Sequence, residues 1–134
     1  MSKLVVARFQ DGRIIKGTSL DVDPARPTFH IRSQPGPAVE VRMSDLKALF
    51  FVRSLEGDSA RQERRSLDPA DARSRGSTLV SITFADGEVI NGLTIRYPPN
   101  RPFFFVLPVD PDSNNIRILI NQAAIKSMEA LSRT

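Results

Sequence analysis

Apolar and polar residues alternate in short runs along this chain rather than at helical spacing. Val6 to Phe9 is apolar and strand-like, Asp11-Gly12 follows, and Arg13 to Asp21 reads as the return strand. Asp-Gly between such runs predicts a hairpin, with a type I′ turn and positive φ at both central residues. Gly17 falls inside the return strand, where glycine marks a bulge, a sharp bend or close backbone approach. A Pro-marked loop leads to a strand from Thr28 to Arg32, and Gln34-Pro35-Gly36-Pro37 is a turn. Val39, Val41 and Met43 alternate with polar residues, as in a half-buried strand. Ser44-Asp45-Leu46 predicts one tight helical turn, and Ala48 to Arg53 a fifth strand.

The same pattern occurs twice. Leu4 to Ile31 aligns with Leu79 to Val106 at a constant offset of 75, without a gap, and 11 of the 28 pairs are identical. The identities include Asp11/Asp86, Gly12/Gly87, Gly17/Gly92, Pro24/Pro99, Arg26/Arg101, Pro27/Pro102 and Phe29/Phe104. Glycine and proline matter most among them, because they restrict the backbone path. Leu20/Ile95 is one of several apolar exchanges. The match resumes with Val39-Glu40-Val41 against Ile116-Arg117-Ile118, then Leu46-Lys47-Ala48-Leu49 against Ile125-Lys126-Ser127-Met128. The final segment fits either a helix capped by Asn121 or a short turn and a strand. The strand is preferred, because its counterpart Leu49-Phe50-Phe51-Val52 is rich in strand formers.

The predicted organisation is a first unit over residues 1–53, a polar linker over 54–78 and a second unit over 79–134. Within the linker only Leu55 and Leu67 are large apolar residues, so it can bury little surface. The net charge of +4 lies wholly in the first unit, which holds nine basic and five acidic residues, whereas the linker and the second unit each hold five of both. With no Cys and a single His, a thiol nucleophile, a disulfide framework and a His-rich metal site are excluded within one chain. No apolar run approaches the ~20 residues of a membrane helix. The first residues lack a signal peptide's apolar core, so a cytoplasmic location without membrane insertion is expected.

Five strands, Asp-Gly at the first hairpin and Gly five residues later resemble an Sm-like small barrel, related to Src-homology-type barrels. The stretches that carry the resemblance are Phe9 to Gly17, Phe84 to Gly92 and the closing Ile118 to Met128. The resemblance implies an all-β fold of two tandem five-stranded barrels, packed together with the polar linker between them. The chain as a whole resembles an uncharacterised bacterial group of tandem small-barrel proteins. Sm-type proteins bind RNA through an Asp after the second strand and an Asn four residues later. Asp23 fits the first position, but Pro27 takes the second, and the second copy has Pro98 and Pro102 there. The family's Arg-Gly pair is replaced by Arg53-Ser54. Proline offers a base no side-chain donor or acceptor.

The repeated Pro-x-Arg-Pro-x-Phe signature has two readings: Arg26, Phe29, Arg101 and Phe104 on the barrel rims, where Arg and aromatics make binding hot spots, or, preferred, prolines that stiffen the loop while Phe enters the core and Arg stacks nearby. Phe103-Phe104-Phe105-Val106-Leu107 is too continuously apolar for a strand with one wet face, so its outer face, with Phe103 and Phe105, covers the first barrel, a second subunit or a partner. Packed against Leu49-Phe50-Phe51-Val52, the two runs would form a pseudo-twofold pair. The leading expectation is therefore a non-catalytic adaptor binding protein through Arg26, Phe29, Arg101, Phe103 and Phe105, with a homodimer as one form of that contact. The alternative is nucleic-acid or nucleotide binding by Arg8, Arg13, Lys16, Arg26, Arg32 and Arg42, joined by linker arginines. Arg61-Gln62-Glu63-Arg64-Arg65 resembles the cyclic-dinucleotide motif of PilZ domains, in which Arg61 and Arg65 would grip phosphates. Its companion Asp/Asn-x-Ser-x-x-Gly is matched only by Asp71 to Gly76, with Ser74 one place late. Asp11 and Asp86 are explained by turn chemistry and no phosphate loop is present, so neither an enzyme nor a cofactor is expected.

Overall fold

A computed structural model describes residues 2–33, 36–56, 73 and 76–131. Ten strands form: β1 (Lys3–Phe9), β2 (Ile14–Ser19), β3 (Thr28–Arg32), β4 (Ala38–Arg42), β5 (Leu46–Val52), β6 (Thr78–Phe84), β7 (Val89–Thr94), β8 (Phe103–Pro108), β9 (Asn115–Asn121) and β10 (Ile125–Ala130). All pair antiparallel, in the order β10-β6-β7-β8-β9-β5-β1-β2-β3-β4. Each copy therefore has the same internal order: its fifth strand lies beside its first, and its fourth strand is at the far end. The predicted tight turn is a 3-10 turn at Met43–Asp45, matched by Gln122–Ala124 in the second copy. The last segment is a strand, and the Asn121 side chain accepts from the Ala123 N–H at 3.0 Å to start the turn before it.

Both Asp-Gly hairpins form, but with a different turn from the one expected. Gly12 and Gly87 have φ of +94° and +93°, and among the described residues none other than glycine has positive φ. The Gly12 N–H donates to the Phe9 carbonyl at 3.0 Å, and the Phe9 N–H to the Arg13 carbonyl at 2.9 Å. The second copy repeats both bonds with Gly87, Phe84 and Glu88. This is a three-residue loop in which only the last residue is left-handed, so Asp11 and Asp86 keep ordinary backbone angles. Their carboxylates instead accept the N–H two residues on, from Arg13 at 3.0 Å and from Glu88 at 2.9 Å.

Gly17 and Gly92 mark close approach. A Cβ on Gly17 would lie 2.2 Å from the Arg32 carbonyl oxygen, and one on Gly92 would lie 3.0 Å from the Leu107 carbonyl oxygen. At these points the second strand, still paired with the first as far as Ser19 and Thr94, also meets the third, at Thr18↔Arg32 and at Gly92↔Pro108. Equivalent strand pairs also settle the repeat register. Phe29 pairs with Val41 and Phe104 with Ile120, so Val39 and Val41 correspond to Ile118 and Ile120 rather than to Ile116 and Ile118. The slip of two residues keeps the same face, which is why the apolar pattern alone does not reveal it.

The two copies do not meet as separate bodies through their Phe-rich strands. They share one open sheet, because β9 of the second copy pairs with β5 of the first, from Ala48↔Ile120 to Val52↔Asn115. The two Phe-rich strands, β5 and β8, lie on either side of β9, so fourth strand meets fifth strand and no pseudo-twofold pair exists. All seven residues of β5 are buried. Leu49 and Phe51 enter one core with Val5, Phe9, Phe29, Ile31 and Leu119, and Ala48, Phe50 and Val52 enter the other with Ile82, Phe84, Val106 and Ile118. The period of two thus gives one strand to both cores.

The two strand glycines differ in their clearance. Gly17→Ala is expected to destabilise the protein by about 2–3 kcal/mol, because backbone must move, and Gly92→Ala by about 1 kcal/mol. Urea unfolding of the two variants checks the order; a neutral Gly17→Ala would contradict the close approach.

Candidate functional site

Two groups of side chains occupy the junction of the copies. The first is ionic. Lys47 on β5 is 6% exposed. Its Nζ donates to Asp86 Oδ2 at 2.7 Å and to Glu88 Oε1, and lies 4.9 Å from the centre of the Phe84 ring. Arg8 on β1 reaches Glu88 Oε2 at 3.2 Å and stacks over Phe50 at 5.2 Å. The first copy therefore grips the second copy's hairpin turn with two cations. The Lys47 ammonium, helped by the Glu88 N–H, holds the Asp86 carboxyl below its ordinary pKa. Nearby, the buried Asn121 side chain donates to the Leu46 carbonyl at 2.8 Å.

The second group surrounds a crevice of about 250 Å³. Arg117, on β9 directly opposite Phe51, has its guanidinium carbon 4.5 Å from the ring centres of both Phe51 and Phe105. The rings lie 6.1 Å apart and tilted by 47°. The remaining wall is Lys3, Ser19, Leu20, Val22 and Pro24, from the start of β1, the end of β2 and the loop after it. That loop is tied to β3: Asp21 accepts from the His30 N–H at 2.9 Å and from Ser19 Oγ at 3.3 Å, and its other oxygen lies 2.7 Å from His30 Nδ1. The pairing raises the His30 pKa, chiefly through the hydrogen bond to Asp21, and the same bond lowers that of Asp21.

The structure rearranges the sequence candidates. Phe29 is fully buried, because it precedes the outward-facing His30 on β3, and this removes it from the partner-binding rim. Phe103 and Phe105 are half-buried against the first core, and only Phe105 reaches the crevice. Arg26 and Arg101 are exposed on equivalent loops, Arg26 lying 3.7 Å from Asp23. The basic set does not form one patch. Arg8 is paired across the junction, Arg13 binds Asp11 at 2.7 Å over the Phe9 ring, and Lys16 donates to the Leu55 carbonyl. Arg32 and Arg42 sit at opposite ends of the β3–β4 ladder, about 13 Å apart along it. Arg61, Arg65 and the Asp71 and Ser74 of the PilZ-like stretch lie outside the described residues. Among the described residues no three His, Asp or Glu side chains cluster as metal ligands, and no helix is long and apolar enough to cross a membrane.

Sequence reasoning missed Lys3, Leu20, Ile95 and Arg117 as surface features. The available signals were an apolar exchange kept in an otherwise polar loop, Leu20/Ile95, and one cation interrupting the apolar run Ile116 to Ile120.

The chain belongs to DUF6982, a family of unknown function whose model matches residues 1–132. No curated protein and no solved structure matches it.

Two expectations follow from this geometry. Lys47→Met leaves Asp86 without its cation and Glu88 with Arg8 alone, and is expected to destabilise the protein by about 1–2 kcal/mol in urea unfolding, less than for a fully buried pair because water reaches both acids. The His30–Asp21 pair gives a pH window. The raised His30 pKa contributes stability below its unfolded value near 6.5, lost as pH rises through the folded value. The lowered Asp21 pKa contributes stability above 3.8, lost as pH falls through the folded value. The drop in thermal midpoint caused by His30→Ala should therefore be larger near about pH 5 than near about pH 8.5. Equal drops would show that the ion pair is not the source.

Proposed function

We propose that this protein is a non-catalytic cytoplasmic adaptor that binds other proteins through the loops following the second strand of each copy. We further take each copy to be an Sm-like small barrel, its two strand glycines allowing the second strand to serve two neighbours. One observation carries the functional reading. Leu20 and Ile95, at equivalent positions in the two copies, are 77% and 84% exposed. A single exposed aliphatic residue on a surface is ordinary. The same exposure kept in both copies, while 17 of the 28 aligned positions have changed, fits a contact surface better than chance. Arg26 and Arg101 lie on the same two loops, and Tyr97 adds a half-exposed ring to the second. Nucleic-acid binding has less support, since Arg8 and Arg13 are engaged within the chain.

The test uses immobilised protein and a lysate of its own host. A protein partner should remain bound in about 0.5 M salt, where surface charges are screened beyond about 4 Å. The double variant Leu20→Ser/Ile95→Ser should release that partner while its stability stays within about 0.5 kcal/mol of the parent. Retention confined to RNA or heparin and abolished by salt would replace this reading with the nucleic-acid one. A partner unaffected by the double variant would overturn the assignment to these loops.

A further inference from the structure

Among the described residues the side chains that line the crevice beside Arg117 are not repeated, although the chain is duplicated. Strand register places Ala130, His30 and Ala38 where Phe51, Phe105 and Arg117 would recur. A fourth strand therefore forms without a cation at this position, as β4 does with Ala38, so the backbone does not require Arg117. Arg117 is half-buried, its side chain makes no hydrogen bond or ion pair among the described residues, and it keeps its guanidinium N–H donors while stacking on two rings. Lys3, on the same wall, likewise has no carboxylate partner among the described residues. The two acids of the adjoining loop are engaged elsewhere, Asp21 with His30 and Asp23 with Arg26. What remains is a concave site with two uncompensated cations and an aliphatic edge made by Leu20 and Val22.

We propose that this crevice seats a peptide segment of a partner protein, with a carboxylate against Arg117 and Lys3 and an adjacent aliphatic side chain against Leu20 and Val22. The proposal rests on the protein-binding reading and adds the chemistry of the partner. Charge complementarity selects the carboxylate, because a guanidinium already oriented by two rings loses little freedom on forming a paired hydrogen bond. Size selects a peptide side chain over a nucleotide. The volume of about 250 Å³ is below the roughly 300–1,000 Å³ usual for small-molecule sites. Both phenyl faces that a base would need for stacking are met by Arg117.

A pool of random octapeptides, half with free and half with amidated C-termini, is passed over the immobilised full chain. Retained peptides should be enriched in Asp or Glu, or in a free C-terminal carboxylate, next to Leu, Ile or Val. Arg117→Met, which keeps apolar contact with the rings, should weaken the best of them about tenfold or more, the loss of one charge-assisted pair. Amide resonances of labelled protein should shift at Leu20, Val22 and Arg117 when such a peptide binds. Enrichment without acids, binding indifferent to Arg117→Met, or stronger shifts with AMP than with peptide would each overturn the proposal. If neutral peptides bind and Leu20→Ser/Ile95→Ser releases them, the adaptor reading stands and only the carboxylate seat fails. If neither peptide nor protein is retained by the parent chain, both fail.

Discussion

Burial of β5 on both faces and its hydrogen bonding on both edges is the constraint on which the rest of the structure depends. A strand at a sheet edge leaves a row of donors and acceptors unpaired, and a strand with one wet face alternates apolar with polar residues. Leu46 to Val52 escapes both conditions because β1 covers one edge and β9 the other. Its odd-numbered residues Leu49 and Phe51 complete the first core, while Ala48, Phe50 and Val52 complete the second. Pulling the copies apart would expose Phe50, Ile118 and Ile120 and strip the β5–β9 ladder of its partners.

Joining unlike strands has a further consequence. A twofold contact would place identical surfaces together, whereas a fourth strand against a fifth uses each kind once and leaves one of each at the ends of the sheet. At those ends β4 presents Glu40 and Arg42, and β10 presents Lys126 and Glu129, all exposed. Charge on an edge strand discourages further pairing. In the junction the equivalent positions are apolar or matched. Lys126 corresponds to Lys47, which is buried between Asp86, Glu88 and Phe84, and Arg42 corresponds to Asn121, which bonds the Leu46 carbonyl. Two sequences descended from one pattern have diverged where their neighbours differ.

The same geometry redistributes charge. The basic excess of the first copy looks in one dimension like a patch, but Arg8 and Lys47 reach across to the second copy's acids and Arg13 turns back on Asp11. Short-range pairs of this kind satisfy individual cations and leave little common field. Arg117 belongs to the copy without net charge and is the cation that the junction leaves beside apolar walls.

The sequence by itself determined the duplication, the strand class, the Asp-Gly hairpins and the positions of close approach, because each rests on local chemistry: period-two alternation, glycine at positive φ and the absence of a Cβ. The closing strand was also legible, through its copy-one counterpart Leu49 to Val52. Turn type was not, since Asp-Gly serves a two-residue or a three-residue loop equally well. The fourth-strand register slipped by two because an even shift preserves the buried face. Phe29 fitted the core or the rim, because its side depends on where the strand begins after the loop, and the structure buries it. Only the tertiary structure decided that β9 lies between the two Phe-rich strands and that Arg117 meets Phe51 and Phe105 in a crevice shared with Lys3 and Leu20. Apart from Phe105, 12 positions from Arg117, those residues lie more than 60 positions from it, and no local pattern encodes which edge of one copy pairs with which edge of the other.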